Sequence, residues 1–270
     1  MIELDLHGKR ILVVGASSGI GRGIALSAGK AGASLAVVGR RAQLLDDVIA
    51  AAGGGTAIVA DVSQPDDCDR VVAEALTALG GFDAVVHAVG AEWPQLLVDA
   101  DAANWNDTFA VNVTGPALIT SRALPHVAGD GIVAFMSSSS VGVPYHGLTA
   151  YGASKAAVDE MVKGFALEHP EHRFTCLAIG PTLGTDMARG FDEATMPLFS
   201  QWLSHGRLTE QLMDAEDLGR AVTEVVAMLL AHPGVNMPES LFMPPGGIQT
   251  AGESVQEIVD TVSEVARNAG

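Results

Sequence analysis

Short apolar runs, rich in β-branched residues, alternate along this chain with longer segments of helical pattern. The runs are RILVVG from Arg10, SLAVVG from Ser34, TAIVA from Thr56, DAVVHAVG from Asp83, GIVAFMSS from Gly131 and RFTCLAIG from Arg173. Uninterrupted apolar runs separated by helices are typical of strands buried on both faces of a parallel sheet. A shorter run, SLFM at 240–243, predicts one further strand.

The segments between the runs predict helices that cover both faces of such a sheet. Their predicted bounds are 19–31, 41–52, 65–79, 101–126, 151–169 and 215–231, with a further helix at 253–267. This alternation predicts an α/β fold with a Rossmann-type, doubly wound parallel sheet. No linker or low-complexity run divides the 270 residues, so we expect a single domain over 1–270, with 250–270 as a C-terminal helical extension.

The segment 186–213 interrupts the alternation of strand and helix with Gly190, Pro197 and Gly206. Such an insertion predicts either a small helical lid over a substrate site or a helical hairpin packed on the domain. Its large apolar side chains, together with Trp93, suggest an apolar substrate region, but they could equally pack the segment onto the domain. These side chains are Met187, Phe191, Met196, Leu198, Phe199 and Trp202.

Composition narrows the functional classes. With 32 acidic and 15 basic residues, the formal net charge of −17 disfavours nucleic acid and anionic membrane surfaces as partners. No apolar segment approaches the roughly 18 residues that would span a bilayer, and the chain opens without an export signal. Cys68 and Cys176 lack the spacing of a metal site or a disulfide framework and suit small buried residues. We expect a cytoplasmic protein without metal ligands.

A glycine-rich turn follows the first predicted strand. In VGASSGIGRGIA, Gly15, Gly19 and Gly21 stand between strand and helix. Glycine lets the backbone turn tightly and approach a pyrophosphate, and the start of the helix offers free N–H groups. The position of this turn predicts dinucleotide binding.

The end of the second predicted strand bears on which dinucleotide binds. An NAD-binding fold usually has an acidic residue there for the adenosine ribose, whereas this chain has Gly39 followed by Arg40 and Arg41. A guanidinium can hold a 2'-phosphate by two parallel hydrogen bonds. We therefore predict NADP(H) in preference to NAD(H), with Arg40 as the main contact. The alternative is a pair of solvated arginines at a strand end.

The helix predicted at 151–169 opens with YGASK. Residues four apart lie one above the other on a helix, so the side chains of Tyr151 and Lys155 can point toward the same site. Tyr-x-x-x-Lys also occurs by chance on amphipathic helices, and the pair gains meaning only from the rest of the chain.

Together with other motifs, this pair makes the chain resemble the classical short-chain dehydrogenase/reductase family over roughly residues 6–247. The family's catalytic Asn, Ser, Tyr and Lys match Asn112, Ser138, Tyr151 and Lys155. Its glycine turn and the Asp-Val pair after the third strand are also present. The resemblance implies a cofactor site made of Gly15, Ser17, Ser18, Gly19, Ile20, Gly21, Arg40, Asp61, Val62, Gly90, Tyr151, Lys155, Pro181, Leu183 and Thr185.

The resemblance also implies roles for the four catalytic residues. Tyr151 would transfer the proton, while Lys155 would lower the pKa of the phenol and bind the nicotinamide ribose. Ser138 would hold the substrate oxygen, and Asn112 would position a water in a proton path to Lys155.

The serine run SSSS at 137–140 leaves two candidates for the catalytic serine. The family's usual gap before Tyr151 selects Ser138, whereas its Ser-x-x-Gly pattern counted back from Gly142 selects Ser139. We favour Ser138 because it ends the predicted strand.

Two inner motifs depart from the family. In HAVG, His87 and Ala88 stand where the family has two asparagines, and we expect His87 to be structural and not a catalytic base. The family's Pro-Gly is inverted to Gly180 and Pro181, while Thr185 keeps the position that binds the nicotinamide carboxamide.

The last strand also departs from the family, because Pro244 and Pro245 cannot donate hydrogen bonds to a ladder. This weakens the expectation of a homotetramer built through that strand. A homodimer through the helices at 101–126 and 151–169 is the other expected assembly.

These observations predict an NADP(H)-dependent oxidoreductase that interconverts a ketone or aldehyde and an alcohol, with an apolar small molecule as substrate. The competing hypothesis is a non-catalytic dinucleotide-binding regulator, which would not need the complete catalytic set. A serine hydrolase is disfavoured because no His or Asp is placed as a partner for Ser138. Substrate identity and reaction direction do not follow from the sequence.

Overall fold

The strands predicted from the apolar runs form one parallel sheet, seven strands wide. The computed structural model describes residues 4–186, 196–207 and 211–246. The strands are β1 (Arg10–Val14), β2 (Ser34–Gly39), β3 (Thr56–Val59), β4 (Phe82–His87), β5 (Val127–Ser138), β6 (Arg173–Ile179), β7 (Thr182–Leu183), β8 (Met213–Asp214) and β9 (Glu239–Phe242). The main sheet has the order β3-β2-β1-β4-β5-β6-β9, and β7 pairs with β8 beside it.

Helices cover both faces of this sheet, as the alternating pattern predicts. They are α1 (Gly19–Lys30), α2 (Ala42–Ala52), α3 (Pro65–Leu79), α4 (Ala102–Phe109), α5 (Gly115–Ala123), α6 (Thr149–Glu168), α7 (Met196–Ser204) and α8 (Ala215–Ala231). Within β1, Ile11 and Val13 pack into the core shared with α1, α2 and α8. Their neighbours Leu12 and Val14 pack into the core shared with α3, α5 and α6. The predicted doubly wound α/β fold is confirmed.

The helix predicted over 101–126 is not continuous. α4 ends at Phe109, a π-helical turn spans Ala110–Thr114, and α5 follows. Pro116 explains the break because it has no amide hydrogen to give to the carbonyl of Asn112, and its ring crowds that carbonyl. The wider π turn accommodates the proline without ending the helical path.

One strand boundary differs from the sequence pattern, whereas the position of the two prolines and the state of the cysteines agree with it. β5 begins at Val127 instead of Gly131. β9 is an edge strand that ends before Pro244, so neither proline takes a place in the ladder. Both cysteines are buried free thiols, as predicted.

Parts of two predicted segments lie outside the described residues. They include 187–195 and 208–210 of the 186–213 segment, with Met187 and Phe191, and all of the 250–270 extension. Among the residues that are described, no helix is long and apolar enough to cross a membrane. The same part of the chain brings no three His, Cys, Asp or Glu side chains together as a metal site.

Candidate active site

A cavity of about 300 Å³ opens at the carboxyl ends of the central strands, where ligands bind in sheets of this kind. It brings together most of the predicted cofactor and catalytic residues. Those that line it are Gly15, Ser17, Ser18, Gly19, Ile20, Arg40, Asp61, Val62, Gly90, Ser138, Tyr151, Lys155, Pro181, Leu183 and Thr185. Two predicted residues, Gly21 and Asn112, support the wall from behind and do not line it.

The glycine turn is dictated by close backbone contacts. Gly15 has a φ of +92°, and a Cβ there would come within 2.9 Å of the Ala88 backbone. A Cβ on Gly21 would lie 2.1 Å from the carbonyl oxygen of Gly15, which no side chain tolerates. Gly19, at the start of α1, has a φ of +55°. The turn can thus form only with glycines, and it leaves the first N–H groups of α1 at the cavity.

At the end of β2, the two arginines behave differently. Arg41 donates to the hydroxyls of Ser17 and Ser18 at 2.9 and 2.7 Å and pairs with Asp186 at 2.8 Å. Arg40 is exposed at the edge of the cavity and has no hydrogen-bond or ion-pair partner among residues 4–186, 196–207 and 211–246. The sequence did not indicate the role of Arg41, because its partner Asp186 is distant in the chain.

Tyr151 and Lys155 stand one turn apart near the start of α6, and both face the cavity. Lys155 is buried, and its ammonium donates to the carbonyl oxygens of Met136 at 2.9 Å and Val89 at 3.4 Å. The ammonium lies 5.7 Å from the centre of the Tyr151 ring. The helical spacing therefore produces the predicted convergence, and carbonyls from β5 and the loop after β4 fix the lysine.

The electrostatics of this pair differ from the prediction. Burial raises the pKa of Tyr151, the negative charge of Glu92 raises it further, and a hydrogen bond with Ser138 opposes both. Burial lowers the pKa of Lys155 to about 8, against the attraction of Glu92. The predicted lowering of the Tyr151 pKa is not seen in this structure, because burial dominates and raises that pKa.

The serine run separates into residues with different neighbours. Ser138 ends β5 and hydrogen-bonds Tyr151, while Ser139 hydrogen-bonds Tyr145, whose pKa it lowers against the effect of burial. The Ser138 hydroxyl also accepts from the N–H of Ser140 at 3.1 Å. The geometry therefore favours Ser138 over Ser139 as the partner of Tyr151.

Asn112 lies in the π-helical turn, and only 2% of its surface is exposed. Its Oδ1 accepts from the Ala91 N–H at 2.7 Å, and its Nδ2 donates to the Ala91 carbonyl at 2.9 Å. The same Nδ2 donates to the Ser154 hydroxyl at 2.9 Å. The amide is thus engaged with the protein, and it links the loop after β4 to α6.

His87 occupies a closed, apolar position at the end of β4. Its ring stacks on Phe135 with centroids 4.7 Å apart, and its Nε2 lies 2.9 Å from the Thr120 hydroxyl. Burial lowers the pKa of His87 to about 3, so the ring is neutral at ordinary pH. It does not line the cavity, in agreement with the predicted structural role.

Glu92 lines the cavity and is a residue that the sequence reasoning missed. Burial raises its pKa to about 8, although the positive charge of Lys155 opposes the shift. The sequence offered only an acid two residues after Gly90, in a segment with no helical or strand pattern. Its closeness to Tyr151 and Lys155 arises from the fold.

The described part of the 186–213 segment contributes apolar walls. Trp202 of α7 is 3% exposed, lines the cavity and donates from Nε1 to the carbonyl of His146 at 2.7 Å. Leu198 is buried, whereas the side chains of Met196 and Phe199 lie outside the described set. Trp93 is 42% exposed and does not line the cavity.

Comparison with known proteins identifies relatives of this chain. A family model described as short chain dehydrogenase matches residues 9–195. The chain is 35% identical over 192 residues to the hydroxynaphthalene reductase-like protein Arp2 of Metarhizium anisopliae (strain ARSEF 549), covering 68% of this chain and 71% of that protein. It is 34% identical over 182 residues to glucose 1-dehydrogenase of Gluconobacter oxydans (strain 621H), covering 64% of this chain and 68% of that protein.

Solved structures give the same result. The structure of a short chain dehydrogenase from Burkholderia cenocepacia J2315 in complex with NADP superposes with a TM-score of 0.77 and 26% identity. The superposition covers 88% of this chain and 97% of that one.

Proposed function

This chain belongs to the classical short-chain dehydrogenase/reductase family and is an oxidoreductase of alcohol or carbonyl groups, and from that premise we propose that it reduces a ketone or aldehyde with NADPH, using Tyr151 as the general acid. The observation that carries the proposal is the convergence of Ser138, Tyr151 and Lys155 on one cavity that also contains the glycine turn. A non-catalytic regulator would have no need of this convergence.

The residues present suit a dinucleotide with a 2'-phosphate. A Cβ on Gly39 would lie 3.2 Å from the Ser17 side chain, a tight contact, so the position where an NAD-binding protein usually has an acid has no side chain here. Arg40 is exposed beside this space, with its guanidinium uncommitted among the described residues, and can form two parallel hydrogen bonds to a phosphate. Arg41 would stabilise the turn through Ser17 and Ser18. The relative from Burkholderia cenocepacia contains NADP.

NADPH, when bound, supplies the hydride for the carbonyl carbon. Tyr151 donates its phenolic proton to the carbonyl oxygen, and its raised pKa keeps that proton in place at neutral pH. Ser138 holds the same oxygen through its hydroxyl. Lys155 is held by the Met136 carbonyl near the phenol, where its positive charge favours the phenolate as the proton leaves.

Asn112 acts in this scheme by holding the backbone. Its side-chain amide is engaged with Ala91 and Ser154 and is not available to a water. A water in a proton path to Lys155 would instead bind the main-chain carbonyl of Asn112, to which Pro116 cannot donate a hydrogen bond. The assignments of Pro181, Leu183 and Thr185 to the nicotinamide end rest on their position along the same cavity wall. Cytoplasmic location and a homo-oligomeric state stay predictions.

The proposal is tested by titrating the purified protein with NADPH and with NADH while cofactor fluorescence is followed at fixed ionic strength. The same protein is then assayed for NADPH oxidation with a panel of ketones and aldehydes. Tight NADPH binding, weaker NADH binding and carbonyl-dependent oxidation are expected. Preference for NADH would contradict the cofactor assignment, whereas binding of NADPH without turnover of any carbonyl compound would contradict the proposed reaction.

A further inference from the structure

An acidic side chain that the proposed mechanism does not use faces the reacting groups. Glu92 lines the same cavity as Ser138, Tyr151 and Lys155. The proposed mechanism gives this side chain no part in proton transfer or in holding the cofactor, so its presence in the cavity calls for another reason.

The loop that bears Glu92 is tightly held. Before it, both backbone polar groups of Ala91 bond the Asn112 amide. After it, the Trp93 carbonyl accepts from Asn104 Nδ2 at 3.3 Å, and the Gln95 N–H donates to the Gly147 carbonyl at 2.8 Å. The carboxyl group is therefore presented to the cavity by a backbone fixed on both sides.

No protein group satisfies this carboxyl group. Within the described ranges, Glu92 accepts no hydrogen bond and forms no ion pair, and its charge and that of Lys155 interact only at longer range. The walls nearby include Leu148 and Trp202, which are buried apolar side chains. Glu92 is partly exposed to the cavity, so its carboxyl group can accept a hydrogen bond from a molecule bound there. A ligand entering the cavity is the available partner.

We propose that Glu92 is a specificity residue that hydrogen-bonds a hydroxyl group of the substrate, so that the preferred substrates are hydroxylated ketones instead of plain hydrocarbon ketones. This inference rests on the proposed carbonyl reduction and names its substrate class. A hydroxyl suits the site better than an ammonium group, because the positive charge of Lys155 in the same cavity repels a second cation. The apolar walls then bind the carbon skeleton, which refines the expected apolar substrate to an amphipathic one.

The test compares cyclohexanone with 2-, 3- and 4-hydroxycyclohexanone as substrates for NADPH oxidation. We expect kcat/KM of the wild-type protein to be roughly 10- to 100-fold higher for at least one hydroxyketone than for cyclohexanone. Glu92→Leu should abolish this preference while it leaves cyclohexanone reduction equal or faster. Glu92→Gln, which keeps a hydrogen-bonding group of the same size, should retain a large part of it.

Glu160→Leu on the exposed face of α6 is the matched control: it makes the same substitution at a solvent-exposed site outside the cavity and should leave the ratio of kcat/KM for hydroxyketone to that for cyclohexanone unchanged. Thermal unfolding separates a binding role from a structural one: Glu92→Leu should be at least as stable as the wild type, because no described protein group binds this partly buried carboxyl group. Turnover without a hydroxyl preference, or a preference that survives in Glu92→Leu, overturns the inference and leaves the proposed function intact. Preference for an amine-bearing analogue, 4-aminocyclohexanone, also overturns it. No NADPH oxidation with any ketone contradicts the proposed function itself and the inference with it.

Discussion

The Asn112 side chain bonds both the N–H and the carbonyl of Ala91, at 2.7 and 2.9 Å. Its third hydrogen bond goes to Ser154, whose own hydroxyl donates to the Tyr151 carbonyl at 2.7 Å. One buried amide in a π-helical turn thus connects the loop before Glu92 to the helix that bears Tyr151 and Lys155. The relative position of these groups depends on this connection.

Asn112→Asp should keep one of the three hydrogen bonds of the Asn112 side chain and remove the other two. An ionised carboxylate can still accept from the Ala91 N–H, but it cannot donate to the Ala91 carbonyl or to Ser154, whose proton is already given to Tyr151. We expect a loss of about 1–3 kcal/mol in the free energy of unfolding, measured by urea denaturation at neutral pH. Asn106→Asp on the exposed face of α4 is the control and should change little. Equal stability of the two variants would contradict this account.

Tyr151→Phe tests the proton donor. Removing the phenolic hydroxyl should lower kcat by about 10²- to 10⁴-fold and leave NADPH affinity nearly unchanged, because the hydroxyl acts on the substrate oxygen. Cofactor fluorescence and steady-state kinetics measure the two effects. Tyr145→Phe is a matched control in the same cavity, since the Tyr145 hydroxyl is bonded to the Arg207 carbonyl at 2.9 Å. Undiminished turnover in Tyr151→Phe would exclude the assigned role.

Single alanine substitutions should distinguish Ser138 from Ser139. Ser138→Ala removes the hydroxyl next to Tyr151 and should reduce kcat by about 10²- to 10³-fold. Ser139→Ala removes only a partner of Tyr145 and should have a much smaller effect. If the larger loss occurs in Ser139→Ala, the other register of the serine motif is correct.

Arg40→Asp should shift cofactor preference toward NADH. The change replaces an uncommitted guanidinium by a carboxylate, which repels a 2'-phosphate and can accept a hydrogen bond from a ribose hydroxyl. We expect the ratio of NADPH to NADH affinity to fall by roughly 10- to 100-fold. Arg220→Asp makes the same change of charge on the outer face of α8 and should leave the ratio unaltered. An unchanged ratio in Arg40→Asp would mean that Arg40 does not bind the 2'-phosphate.

His87→Asn should alter the dependence of stability on pH. The pKa of His87 is about 3 in the folded protein against 6.5 for a free side chain, so between these values the unfolded chain binds one more proton. Stability from this group is complete above pH 6.5 and declines as the pH falls, by about 2 kcal/mol between pH 7.5 and pH 5. Urea denaturation at pH 7.5 and pH 5 measures the free energy of unfolding. Between these pH values the variant should lose about 2 kcal/mol less of it than the wild type does. The same loss in both proteins would show that His87 is protonated when folded.

The fold and the main chemistry follow from the sequence because both depend on local spacing. Apolar runs such as the one from Ile11 to Val14 define buried strands, since most residues of a strand covered on two faces are apolar. The four-residue interval from Tyr151 to Lys155 places both on one helical face. The glycines of the turn reflect backbone packing so close that a Cβ on Gly21 would lie 2.1 Å from the Gly15 carbonyl oxygen.

The tertiary structure alone decided the features that depend on groups brought together from distant elements. The Arg41–Asp186 pair, the raised pKa of Tyr151 and the exposure of Glu92 to the reacting groups all depend on which segments meet at the strand ends. Burial is a property of the whole assembly, and here it dominates the pKa of Tyr151. The π-helical turn was determined partly by sequence and partly by tertiary structure. Pro116 indicates in the sequence that the helix breaks. The contact of Asn112 with Ala91, which this break permits, forms only once the sheet has formed.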